Sequence, residues 1–152
     1  MEMLSNASKY AINAVLFLAL DAHKDRKVGT KEIATNINVP VPFLAKLLQN
    51  LARKGVISST KGPNGGFYLT EENQAQNLLV VVDQIDGLSK LETCVLGLTS
   101  CSSEKPCPMH DMVQPLRQKF LYELHNNSIT TFAKKVQEGK TFLNFGDTKR
   151  QS

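Results

Sequence analysis

The chain has 152 residues, 41% of them hydrophobic and 21% charged, with a formal net charge of +4 and a pI near 9.0. This is enough apolar material for one cored domain, or one domain with an appendage, and it excludes a globally disordered chain. The mildly basic balance is compatible with nucleic acid without establishing it, and the absence of a run of about 18 apolar residues argues against a membrane-spanning helix.

The charge is unevenly placed. Residues 1–70 carry nine Lys/Arg against four Asp/Glu, and residues 71–152 carry nine against ten. No acidic residue occurs from Ile33 to Thr70, whereas Lys46, Arg53, Lys54 and Lys61 do. The N-terminal half is the electrostatic candidate for a polyanion, and a solvated basic face is an equal reading of charge alone. The first residues, MEMLSNASKYAINAVLFLAL, interleave apolar positions with Ser, Asn and Lys, without a basic cluster or a cleavage site. They read as an amphipathic core helix and not as a signal peptide. An odd cysteine count with no export signal points to the reducing cytoplasm, where gathered cysteines serve more often as ligands or redox centres than as disulfides.

Taken in order, Tyr10, Ala11, Ala14, Val15, Leu18 and Ala19 predict a first helix over 5–21. The polar run from His23 to Lys27 follows as a turn, and His23 is assigned no function. Thr30 is expected to cap a short second helix whose inner residues are Ile33, Ala34 and Ile37. Pro40 and Pro42 stop it and start a third helix over Pro42–Lys54, with Phe43, Leu44, Leu47, Leu48 and Leu51 as its apolar stripe. Gly55 ends that helix. Two short helices around a tight turn, the second with a basic, amide-bearing outer face, form a helix-turn-helix pattern. VISSTKGPNGGFYLT then reads as strand, turn and strand, a β-hairpin wing.

In a helix-turn-helix, the second helix enters the major groove with its N-terminal residues at base edges. Here those residues are Pro42, Phe43, Ala45 and Lys46, followed by Gln49 and Asn50. Lys46 suits guanine or a phosphate, Gln49 and Asn50 suit adenine, and Phe43 suits either a thymine methyl or the core. Lys31, Arg53 and Lys61 suit phosphate contacts that position without specifying. The tip residues Gly62, Pro63, Asn64 and Gly65 let backbone approach a phosphate. Each alone is equally a solvated surface residue; their ordered arrangement carries the signal.

A helix over Gln76–Ile85 is expected next, then the segment CVLGLTSCSSEKPCPMH, then a long helix over 111–126 with Val113, Leu116, Phe120, Leu121 and Leu124 on one wide apolar face. A short helix, TTFAKKVQ, precedes a polar tail. Cys94, Cys101 and Cys107 are the only cysteines, and His110 follows at C-x6-C-x5-C-x2-H spacing. Three thiolates and an imidazole complete a four-ligand site that suits structural zinc. They also suit an iron–sulfur cluster, in which histidine occasionally replaces cysteine. Direct thiol oxidation and an unliganded loop are the remaining readings. No nucleotide loop, nucleophile elbow or paired acids point to an enzyme.

SKYAINAVLFLAL, the helix pair, the wing KGPNGGFYL and the three cysteines before a long helix together resemble the Rrf-two family of bacterial regulators, of the IscR/NsrR type, from about Leu4 to Val136. The resemblance implies a mainly α fold with a small β-hairpin wing: a winged helix-turn-helix plus a long C-terminal dimerisation helix. It implies a homodimer on double-stranded operator DNA, regulated (repression being the expected sense) by an iron–sulfur cluster on the three cysteines, 2Fe–2S favoured over 4Fe–4S, with zinc as the alternative. His110 follows the third cysteine as in IscR-like members. NsrR-like members use an acidic residue just before the first helix's tyrosine, a position held here by Lys9. His110 is therefore the expected fourth ligand, with Asp111, a small molecule or a partner-subunit residue as alternatives. One cysteine interval is a residue longer than the five-and-five spacing common in the family. The implied organisation is a DNA-binding domain over 1–72, a cysteine loop and dimerisation helices over 73–136, and a flexible tail over 137–152.

Overall fold

The computed structural model describes residues 3–143. Among the described residues are seven α-helices and one two-stranded antiparallel sheet. The first helix, α1 (Asn6–Asp21), starts where Ser5 Oγ accepts from the Ser8 amide at 3.0 Å. Ala11, Ala14, Val15 and Leu18 are fully buried. Small residues on this helix let neighbours approach from several directions, and α1 becomes the spine of the molecule.

Helix α2 (Thr30–Ile37) buries Ile33, Ala34 and Ile37 against that spine. The expected cap is displaced: Gly29 holds the capping position, with no side-chain bond, and Thr30 is the first helical residue. The cause lies upstream. Val28 exchanges both backbone hydrogen bonds with Phe67, at 2.9 and 2.8 Å, which fixes the chain in an extended course up to Gly29. Asn38 turns left-handed at φ 59°, and α3 (Val41–Arg53) follows with Pro42 in its first turn. Leu44, Leu48 and Leu51 are fully buried on its inner side.

The wing is shorter than expected: β1 (Ser58–Thr60) pairs with β2 (Gly66–Tyr68) in the register Ser58↔Tyr68, Ser59↔Phe67, Thr60↔Gly66. Val56 and Ile57 do not join the strand but plug the core beneath it. Gly66 sits at φ 155°, and a Cβ there would lie 2.9 Å from the Val28 backbone, so the Val28 bridge requires glycine. The helix expected over Gln76–Ile85 starts three residues later, as α5 (Leu79–Ile85), and an unexpected short helix, α4 (Glu71–Ala75), precedes it. Thr70 and Asn73 form a reciprocal capping box that starts α4. The break between them arises because the Gln76 carbonyl accepts from the Ile129 amide at 2.9 Å. Asn73 also ties the wing down: its Oδ1 accepts from Ser58 Oγ at 2.7 Å and its Nδ2 donates to the Gly55 carbonyl at 3.2 Å.

After α5, a 3-10 turn (Ser89–Glu92) anchored by buried Leu91 leads into the cysteine segment. Helix α6 runs His110–Asn126, one residue earlier than expected, with Pro115 inside it. Helix α7 (Ile129–Gln137), capped by Ser128 Oγ, packs on α1 and α4. The polar tail expected at the C-terminus lies, from residue 144 on, outside the described residues.

Asp86, at the end of α5, accepts from both the Ser5 amide, at 3.1 Å, and the Ser5 hydroxyl. It thereby ties the start of α1 to the approach to the cysteine segment. Burial alone would raise the Asp86 pKa, but the bonds from Ser5 outweigh it and hold the carboxyl below its ordinary value. Because the folded pKa is depressed, this contribution is fully present above the unfolded value of about 3.9 and is lost as pH falls through the folded value. Asp86→Ala should therefore lower unfolding free energy by about 1–3 kcal/mol at neutral pH. Urea melts should show that deficit shrinking in acid, and a deficit independent of pH would refute the ionised bond.

Candidate metal centre and nucleic-acid interface

The cysteine segment folds back on the start of α6. Gly97, at φ 77°, closes a turn in which its amide donates to the Cys94 carbonyl at 3.0 Å. That turn aims the Leu98 and Leu96 amides at Cys94 Sγ; these bonds, with lesser help from the neighbouring thiols, bring its pKa down to about 7 against the opposing effect of burial. Amide hydrogen bonds to sulfur favour the thiolate, the form that binds metal. For Cys101 the Cys107 amide pulls in the same direction, but burial and the adjacent Cys107 and Cys94 thiols prevail and push it above the ordinary thiol value.

The three Sγ atoms lie within 4.8 Å of one another. Cys94 Sγ is 3.6 Å from Cys107 Sγ, and Cys101 Sγ is 3.5 Å from His110 Nδ1. Metal–sulfur bonds of about 2.3 Å and metal–nitrogen bonds of about 2.0–2.1 Å at a tetrahedral ion separate two ligand atoms by about 3.5–3.8 Å. Both pairs have that separation, so the donor set fits a metal. Cys107 is 9% exposed, while Cys94, Cys101 and His110 are half-buried. Asp111, the alternative ligand beside His110, is exposed and is not among the residues lining the cavity between the thiols.

Glu92, Gln114 and Arg117 line that cavity and were not among the candidates from sequence. The signal was present: His110, Gln114 and Arg117 recur at helical spacing on one face of α6, so placing His110 at the site also places the other two.

The DNA-facing candidates gather on α3 and the wing. Pro42, Lys46 and Gln49 are exposed and Asn50 is half-buried. Gln49, Arg53, Lys61, Ser59 and Thr60 line one open groove between α3 and the wing, the last two as further candidates. Arg53 donates to Asn50 Oδ1 at 3.1 Å, so Asn50 meets any ligand already engaged. Phe43 is 45% exposed and also packs edge-on against Tyr10, with ring centroids 5.6 Å apart, so it is half surface and half core. Lys61, Gly62, Pro63 and Asn64 form the exposed wing tip, with Gly65 tucked behind. Lys31 is exposed in the first turn of α2, apart from that groove.

No described helix is long and apolar enough to cross a membrane. A family model described as "Rrf2: Iron-dependent Transcriptional regulator" matches residues 4–135. An HTH-type transcriptional regulator of Aquifex aeolicus is 34% identical over 119 residues, covering 77% of this chain and 81% of that protein. The regulator IscR of Yersinia pseudotuberculosis is 25% identical over 123 residues, covering 81% and 74%. Among solved structures, CymR of B. subtilis aligns with a TM-score of 0.69 at 20% identity, covering 88% of this chain and 98% of its own. T. potens IscR aligns with a TM-score of 0.68 at 18% identity, covering 95% and 96%. The winged-helix architecture is thus shared with these regulators, none of which is named as an enzyme. The chain belongs to the Rrf2 family of transcriptional regulators.

Proposed function

We propose that this regulator, a cytoplasmic homodimer, binds double-stranded operator DNA through residues 1–72 and adjusts its affinity through an iron–sulfur cluster held by residues 73–136. The observation that carries the reading is the convergence of Cys94, Cys101, Cys107 and His110 in two donor pairs at 3.6 and 3.5 Å. A 2Fe–2S cluster takes four protein ligands, and Cys94, Cys101, Cys107 and His110 would hold it. The bound cluster would supply electron-transfer chemistry and sensitivity to oxidants or nitric oxide. The chain's own residues do the rest: the Leu96 and Leu98 amides stabilise a thiolate, and Arg117 and Glu92 set the charge beside it.

The link to DNA runs through packing. Helix α6 touches α5, and α5 touches both α1 and α3, so a shift of the cysteine segment bears on the recognition helix. A tenfold change in operator affinity requires a differential of only about 1.4 kcal/mol. Structural zinc is the second reading, favoured by the mutual approach of all three sulfurs within 4.8 Å, which suits a single ion. Anaerobically purified protein should show visible absorption, iron and acid-labile sulfide in the cluster reading. Colourless protein with stoichiometric zinc would replace it. Cluster-loaded, apo and triple Cys→Ala proteins should then differ in operator affinity, and equal affinities would end the sensing proposal while leaving DNA binding intact.

On the DNA face, Lys46, Gln49 and Asn50 are proposed to meet base edges, with Pro42 and Phe43 at the helix entry. Lys31, Arg53, Lys61 and the wing tip Gly62–Gly65 meet phosphates. Lys61→Ala should weaken binding to all sequences alike and reduce the salt slope by about one. An altered sequence preference with an unchanged slope would give Lys61 a different role.

Dimerisation is proposed through α6. Met112, Leu116 and Tyr122 are 62%, 58% and 62% exposed, Leu116 belonging to the wide apolar face expected on this helix. A two-fold mate covers such a face with the same face, and half-sites about one helical turn apart match that symmetry. Leu116→Asp should convert dimer to monomer in analytical ultracentrifugation without loss of helical circular dichroism. A monomeric wild-type protein at the same concentration would exclude this interface.

A further inference from the structure

The approach of Cys94 to Cys107 also has a consequence for the metal-free chain. Their sulfurs are 3.6 Å apart, at van der Waals contact, and thirteen positions apart in sequence. Cys101 is differently engaged: its sulfur accepts from the Cys107 amide at 3.4 Å and lies 3.5 Å from His110 Nδ1. Exposure also separates the pair. Cys94 is half-buried and reachable, whereas Cys107 is 9% exposed. An oxidant that reaches Cys94 therefore finds Cys107 already in place to resolve it.

We propose that Cys94 and Cys107 are a disulfide-forming pair in the metal-free protein, with Cys101 left as a free thiol, so that oxidation by a hydroperoxide locks the segment closed. The chemistry balances with the hydroperoxide as oxidant. The Cys94 sulfur attacks the peroxide oxygen, the O–O bond breaks, and the departing hydroxide or alkoxide takes a proton, leaving a sulfenic acid. The Cys107 sulfur then attacks the Cys94 sulfur, the S–O bond breaks, and water leaves with the thiol proton. Two thiols are oxidised and one peroxide is reduced.

A linked pair cannot ligate. The oxidised chain retains only Cys101 and His110 from the four donors, so it takes up neither iron nor zinc until a thiol reductant reopens the bond. This deepens the reading of the same site given above, yet the linkage itself depends only on the bare chain.

The test uses full-length metal-free protein treated with hydrogen peroxide, alkylated before and after reduction, and mapped by peptide mass spectrometry. The expected product is one intramolecular Cys94–Cys107 link with Cys101 alkylated before reduction. Cys101→Ser should form the same link, and Cys107→Ser should stop at a trappable sulfenic acid on Cys94. A link that includes Cys101, or three thiols all alkylated before reduction, overturns the proposal. Zinc uptake, read with a chromogenic chelator, should vanish on oxidation and return with dithiothreitol, and uptake by the linked protein would overturn the lock. Because zinc and peptide masses are read directly, failure here differs from failure of cluster sensing, which is read as iron, sulfide and DNA affinity.

Discussion

The burial of α1 is the constraint on which the rest depends. One helix carries Ala11, Ala14, Val15 and Leu18 at zero exposure, and touches α2, α3, α5 and α7. A helix apolar over so much of its surface is stable only when covered on several sides. The recognition helix and the scaffold behind the cysteines therefore share one core, which runs from Ala11 through Leu48 and Val82 to Leu124 and Ile129. Close-packed interiors transmit displacement rather than absorbing it. A shared core of this kind suits the coupling proposed between the two ends.

The cysteine segment is built on the opposite principle. Between Leu91 and Val113 the apolar anchoring is slight: Cys107 is buried, while Leu96 and Leu98 are 50% and 51% exposed. The segment is held by short turns, by amides donating to sulfur, and by the contacts among the thiols and His110. Where packing contributes so little, ligation contributes directly to local stability. A weakly packed segment on a rigid scaffold gives metal gain, metal loss or oxidation a structural consequence without endangering the core. Asp86, at the junction, confines that consequence by fixing the end of α5 to the start of α1.

The side proposed to face DNA divides its labour. Leucines on the inner side of α3 fix its position, and its outer face is left with short polar and basic groups. The wing has little core of its own and is held by Asn73, by the Val28–Phe67 bridge and by the plug residues Val56 and Ile57. Anchoring at the base leaves the Lys61–Asn64 tip exposed, where backbone and one cation are presented together.

Much of this was legible in the sequence, where local physics dominates. Helical periodicity placed α1 and α3, the Pro40–Pro42 break fixed the turn between α2 and α3, and the Gly-rich hairpin signal located the wing. The spacing of Cys94, Cys101, Cys107 and His110 marked four donors for one site because cysteine is rare in this chain and gathered in it. Long-range partners decided the rest. The bridge to Phe67 moved the start of α2, and the bond from Ile129 to Gln76 delayed α5 and separated it from the unexpected α4. The division of the donors into Cys94 with Cys107 and Cys101 with His110 is likewise tertiary. Spacing along a chain bounds which atoms can meet, and only the packing of the turns that carry them selects which do.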